Sequence, residues 1–140
     1  MSTMAQKLKE HIKLSEGFVA KPYICPAGKQ TIGYGFNIED RGIPEEVADY
    51  WLEHELRLIE EGLSKDPVYL MLDPVRQSVL LDMAYNLGLT RLRKFKKMFR
   101  ALYDRDFKKA SEEMLDSKWA RQVKGRAQKL SEIMHTGHWA

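Results

Sequence analysis

Apolar residues recur every four positions near the start of the chain, at Met4, Leu8 and Ile12, with charged residues between them. This spacing predicts a short amphipathic helix that ends near Glu16 and is stopped by Gly17. The pattern then changes. Pro22, Pro26, Gly28, Gly33 and Gly35 would interrupt any helix. Tyr23-Ile24 and Thr31-Ile32-Gly33-Tyr34 carry the aromatic and β-branched residues of extended strands, and Pro26-Ala27-Gly28-Lys29 supplies a turn between them. The product is a hairpin or three-stranded ribbon, too small to be stable without helices beside it.

After Gly42 the period is helical. Pro44 suits a first helical turn, and Glu45 and Glu46 suit the positive end of the helix dipole. Val47, Trp51, Leu52, Leu56, Ile59 and Leu63 give that helix an apolar face. Asp73-Pro74 is a cap followed by proline at the first helical position. It opens the most apolar helix, through Val75, Val79, Leu80, Met83, Ala84 and Leu87 to a stop at Gly88. Apolar on most of its sides, this helix is expected to be the central buried one. Shorter helices are predicted over 92–102 and 107–115, then one capped by Ser117. The last runs from Arg126 to about His135 and stops at Gly137. The predicted fold class is α+β. One domain over 1–140 would comprise a helix and β lobe over about 1–42, a linking helix over about 44–63 and a helical lobe over about 64–140. A cleft between two such lobes would admit a long substrate.

Composition adds boundaries. With 140 residues, 44% apolar and 31% charged, the chain is sized for one folded domain with a substantial core. Its single cysteine excludes an internal disulfide and fits folding in a reducing compartment. No apolar run near the start matches a secretory signal, and none approaches the roughly 20 residues that span a bilayer. Stable membrane insertion is therefore not expected. Residues 1–60 hold 7 Lys/Arg and 10 Asp/Glu, while residues 61–140 hold 16 and 10, so a net +3 hides a strong asymmetry. The basic peak, from Arg91 to Lys109, could be a solvated helix face or could meet a polyanion. No nucleic-acid reading motif accompanies it, so nucleic acid is not an expected partner. His54-Glu55 lacks a second histidine four residues on, and no Cys/His cluster exists, so neither a metal nor another cofactor is expected.

The chemistry concentrates between residues 14 and 36. No other carboxylate lies between Glu16 and Glu39, eight residues separate Glu16 from Cys25, and five separate Cys25 from Thr31. A carboxylate at the C-terminal end of a helix meets the negative end of the dipole, a setting that suits a general acid. Each residue also has an ordinary structural reading: an exposed glutamate, a small buried thiol, a packing threonine in a strand. The four histidines offer no papain-like context for a cysteine hydrolase.

Taken together, this segment resembles the active-site region of the phage-type lysozymes, the endolysin family that includes the lysozyme of T-even phages. The likeness lies in Glu16-Gly17, Cys25 nine positions on, and Thr31 within Thr31-Ile32-Gly33-Tyr34-Gly35. It continues in the same order through Arg76–Gly88, Ser117-Lys118-Trp119, Gly125-Arg126-Ala127 and Thr136-Gly137-His138-Trp139. The resemblance implies a lysozyme-like fold. It also implies hydrolysis of the β-1,4 bond between N-acetylmuramic acid and N-acetylglucosamine in bacterial peptidoglycan. Glu16 would be the general acid, with Cys25 and Thr31 as its catalytic companions and Asn86 and Arg126 as substrate-side residues. Many relatives have Asp where this chain has Cys25, so the second group is expected to position water or act as a modest base or nucleophile. The expected setting is a monomeric endolysin held in the host cytoplasm until a holin releases it to the periplasm and cell wall. Two alternatives stay open: a lytic transglycosylase, which also needs one glutamate, and a non-catalytic glycan-binding or virion protein.

Overall fold

A computed structural model describes residues 3–139. It divides into two compact units, residues 1–50 and 51–140. The fold is lysozyme-like and α+β, mostly helical with a small antiparallel sheet.

The first unit opens with α1 (Met4–Glu16). Thr3 caps it: its hydroxyl accepts the Gln6 N–H, and the Gln6 side chain accepts the Thr3 N–H in return. At the other end Gly17 adopts φ +72° and donates to the Lys13 carbonyl, so the helix stops with Glu16 in its last turn. Three strands follow in the order β1 (Val19–Ile24), β2 (Gln30–Gly33), β3 (Phe36–Asn37), all antiparallel. β1 begins earlier than the sequence pattern suggests and includes Pro22. It is an edge strand whose register shifts between Val19 and Tyr23, and an irregular edge tolerates a residue with no N–H to donate. The predicted turn forms as Cys25-Pro26-Ala27-Gly28, with the Gly28 N–H donating to the Cys25 carbonyl. A short helix α2 (Ile38–Arg41), capped by Asn37, falls in a stretch with no helical period.

The long helix α3 (Glu45–Leu63) carries the chain from one unit to the other. In the second unit, α4 (Pro67–Met71) uses the same Asp-Pro opening as α5 (Pro74–Leu87). α5 buries Val79, Leu80, Met83 and Ala84, as expected of a central helix. The helix predicted over 92–102 is instead two, α6 (Leu89–Leu92) and α7 (Lys96–Tyr103). The break places Phe95 edge-on to Trp119 at 6.3 Å, a tertiary contact that a continuous helix would forgo. α8 (Phe107–Leu115), α9 (Lys118–Val123) and α10 (Gly125–Thr136) complete the chain. Leu63, Leu80, Met83, Leu102, Met114 and Met134 are among the fully buried side chains of the core. No helix among the described residues is long and apolar enough to cross a membrane.

Candidate active site

Strand β2 organises the first unit's chemistry. It is the central strand, paired with β1 through Tyr23 opposite Thr31 and with β3 through Asn37 opposite Thr31. Thr31 is thus held from both sides and is 2% exposed. The turn before β2 carries Cys25. The turn after it carries Tyr34 and Gly35 and lies against Glu16.

At the Cys25 end, three groups meet on the backbone of Lys29. The Lys29 carbonyl accepts both the Cys25 N–H and the Thr31 hydroxyl, each at 2.9 Å. The thiol is partly exposed. Hydrogen bonds from the Lys29 backbone and then from the Thr31 hydroxyl hold it below the ordinary thiol range, against the opposing push of partial burial. The single Thr31 proton therefore faces two acceptors, the Lys29 carbonyl and the Cys25 sulfur. Lys29 is itself anchored: its ammonium lies 3.4 Å from Glu39 and 3.3 Å from Asp40 on α2, and Glu39 also accepts the Gln30 N–H. The short helix that shows no helical period in the sequence is what steadies this turn.

At the other end, the exposed Glu16 side chain rests on Gly35, with Oε2 2.6 Å from where a Cβ on that glycine would stand. The turn is fixed by rings. Tyr34 packs against Phe18 at 5.6 Å and edge-on to Phe36 at 6.2 Å, and the Lys13 ammonium lies 5.6 Å from the Tyr34 ring centre. Lys13 and Phe18 bracket Glu16 in sequence, so these contacts tie the end of α1 to the turn. The first unit therefore brings Glu16 to one end of β2 and Cys25 with Thr31 to the other.

Asn86 and Arg126 belong to the second unit. Asn86 is exposed at the end of α5, and its Oδ1 accepts the Trp119 indole N–H at 2.9 Å. Arg126 on α10 donates to Asp82 on α5 through Nε at 2.8 Å and again through its terminal nitrogen. The pair borders an open groove of about 730 Å³ that also has Tyr85, Leu81 and Trp139 on its walls. The guanidinium is thus already neutralised within its own unit. Asp82 was not singled out from the sequence; it stands 44 residues from its partner, and no local pattern joins them. In the sequence Lys29 stands out only as part of a turn and Gly35 only as part of the Thr31–Gly35 motif, because one meets its neighbours through a carbonyl and the other through the absence of a side chain. No group of three or more His, Cys, Asp or Glu residues among the described residues could hold a metal ion.

A family profile described as phage lysozyme matches residues 13–134. Two proteins of Dictyostelium discoideum, named probable T4-type lysozymes 1 and 2, are 21% and 23% identical to the chain, each alignment covering 96% of both partners. The pre-baseplate central spike protein Gp5 of Enterobacteria phage T4 is 36% identical over 94% of this chain, which spans 28% of that longer protein.

Proposed function

Because the chain belongs to the phage lysozyme family, we propose that it is a muramidase. It hydrolyses the β-1,4 bond between N-acetylmuramic acid and N-acetylglucosamine in bacterial peptidoglycan. The observation that carries this reading is the distribution of Glu16, Cys25 and Thr31 about one short strand. Four extended residues span about 10 Å. That scale suits an acid on one side of a sugar ring and a water-holding group on the other, which in inverting enzymes stand roughly 6.5–9.5 Å apart.

In this reading Glu16 protonates the leaving glycosidic oxygen. The Thr31 hydroxyl and the Cys25 sulfur hold the attacking water. Drawing the thiol toward thiolate raises the fraction present in the proton-accepting form above that of a free cysteine, whereas a carboxylate placed for the same task would be ionised throughout. The Asn86 amide nitrogen and the Arg126 guanidinium contact the glycan. The protein acts as a monomeric endolysin, accumulating in the host cytoplasm until a holin lesion lets it reach the wall, where cleavage lyses the cell.

Mass spectrometry of muropeptides released from purified peptidoglycan tests the reaction. Reducing N-acetylmuramic acid ends are expected. Ends in the 1,6-anhydro form would make the protein a lytic transglycosylase, and binding without release would make it a glycan-binding protein. The likeness to part of a phage spike protein favours one second reading, in which the same chemistry is carried in a virion rather than released at lysis. Proteomics of purified particles separates the two: the endolysin reading expects the chain in lysates and not in virions.

A further inference from the structure

The contact between Glu16 and Gly35 is too close for any other residue at position 35 unless the Glu16 carboxylate moves. An ideal Cβ built there would stand 2.6 Å from Glu16 Oε2 and 3.1 Å from its Cδ. The first distance is shorter than real Cβ atoms show and the second is tighter than nine in ten of their contacts, so the carboxylate would have to shift. Gly35 also adopts φ +76°, a left-handed conformation that L side chains rarely take. These are separate demands. Gly42, in the same unit, has φ +64° and open space where its Cβ would point, so it makes only the second.

From this we propose that Gly35 is a positioning residue for the reaction: its bare Cα is the seat that sets the direction in which Glu16 presents its proton. The inference rests on the reading of Glu16 as the general acid. Glu16 is exposed and has no hydrogen bond or ion-pair partner among the described residues. Its place is therefore set by the end of α1 and by the surface it lies on. Lys13, Phe18 and Phe36 hold the Tyr34 ring, so the turn cannot easily yield to a methyl group. The glutamate, a longer and freer side chain, is what moves. General acid catalysis depends on the reacting atoms being placed to within a fraction of an ångström, and a displacement of about 1 Å can cost on the order of a hundredfold in rate.

Four variants of the full chain test this: Gly35→Ala, Gly35→Asn, Gly42→Ala and Glu16→Gln. Turnover on purified peptidoglycan and thermal midpoint are measured for each, well below the lowest midpoint. Gly35→Ala and Gly35→Asn are expected to lower kcat by about a hundredfold with KM little changed. Asn tolerates positive φ better than Ala, so Gly35→Asn should be the more thermally stable of the two while remaining equally slow. Gly42→Ala should lose stability and keep its kcat. If Gly35→Asn turns over at close to the wild-type rate, or if both Gly35 variants change KM and not kcat, the seat is not what Gly35 provides and the proposal fails. If Glu16→Gln stays active, it is the general-acid reading that fails, whatever Gly35 does.

Discussion

Within residues 3–50, Thr31 is the only buried side chain, whereas residues 51–139 contain the whole apolar core, from Leu63 to Met134. The first unit is held by strand pairing, by the Lys29 link to α2, by rings around Tyr34 and by glycines at positive φ. Each hydrogen bond of this kind contributes about 1 kcal/mol net. The second unit is held by close packing, where removing a single leucine side chain costs about 2–5 kcal/mol. The candidate catalytic groups Glu16, Cys25 and Thr31 all lie in the lightly held unit. A region with few buried contacts is where local adjustment costs least, and a site that must receive a polymer benefits from that. Stability and chemistry should then be separable by mutation.

Leu102→Ala, in the middle of the core, should have the largest effect on stability, about 2–5 kcal/mol in urea denaturation, with turnover per folded molecule unchanged. Normal stability with lost turnover would erase the contrast. Arg76→Ala comes next. Its guanidinium donates to the Met134 carbonyl at 2.6 Å and the His135 carbonyl at 2.9 Å, closing the end of α10, and it lies 3.5 Å over the Phe107 ring. Losing these contacts should cost about 2–3 kcal/mol, again read by denaturation.

Asp73→Ala should cost about 1 kcal/mol, the usual value of an N-cap, and it carries a pH signature. Burial alone would raise the Asp73 carboxyl, but the Arg76 N–H and guanidinium outweigh it and hold the group below the ordinary carboxylate range. A carboxyl depressed on folding contributes stability that is complete above its unfolded pKa and is lost as pH falls through its folded one. Stability measured from neutral pH down through the acid range should therefore fall more steeply in the wild type than in Asp73→Ala.

Cys25→Ser should have the smallest effect, a loss of turnover under about tenfold (up to ~1.4 kcal/mol), with stability unaltered. Because the thiol is held low, any rate increase due to thiolate should be centred below the ordinary thiol value and should vanish in the serine variant. A collapse as deep as that of Glu16→Gln would make Cys25 an essential group instead of an auxiliary one.

Much of this contrast was written locally in the sequence. Asp73-Pro74 and Gly88 mark the ends of α5, and Asp106 opens α8 where the apolar period begins, because capping is short-range chemistry. Asp66-Pro67 carries the same signal for α4, but a five-residue helix leaves no period to notice. The break between α6 and α7 accompanies the meeting of Phe95 with Trp119, a contact across 24 residues that no window contains. In the site, Glu16, Cys25 and Thr31 were visible through their spacing and side-chain chemistry. The roles of Lys29 and Gly35 were not, since one contributes a carbonyl and the other the absence of a side chain.

The most direct test of the account compares wild type and Glu16→Gln in two assays on the same preparations, turnover of purified peptidoglycan and thermal midpoint. Turnover is expected to fall on the order of a thousandfold, as for loss of a general acid, while the midpoint stays within about 2 °C of the wild type, as for an exposed substitution. A Glu16→Gln protein that still cleaves the glycan, or one that stops cleaving only because it has unfolded, would contradict the account.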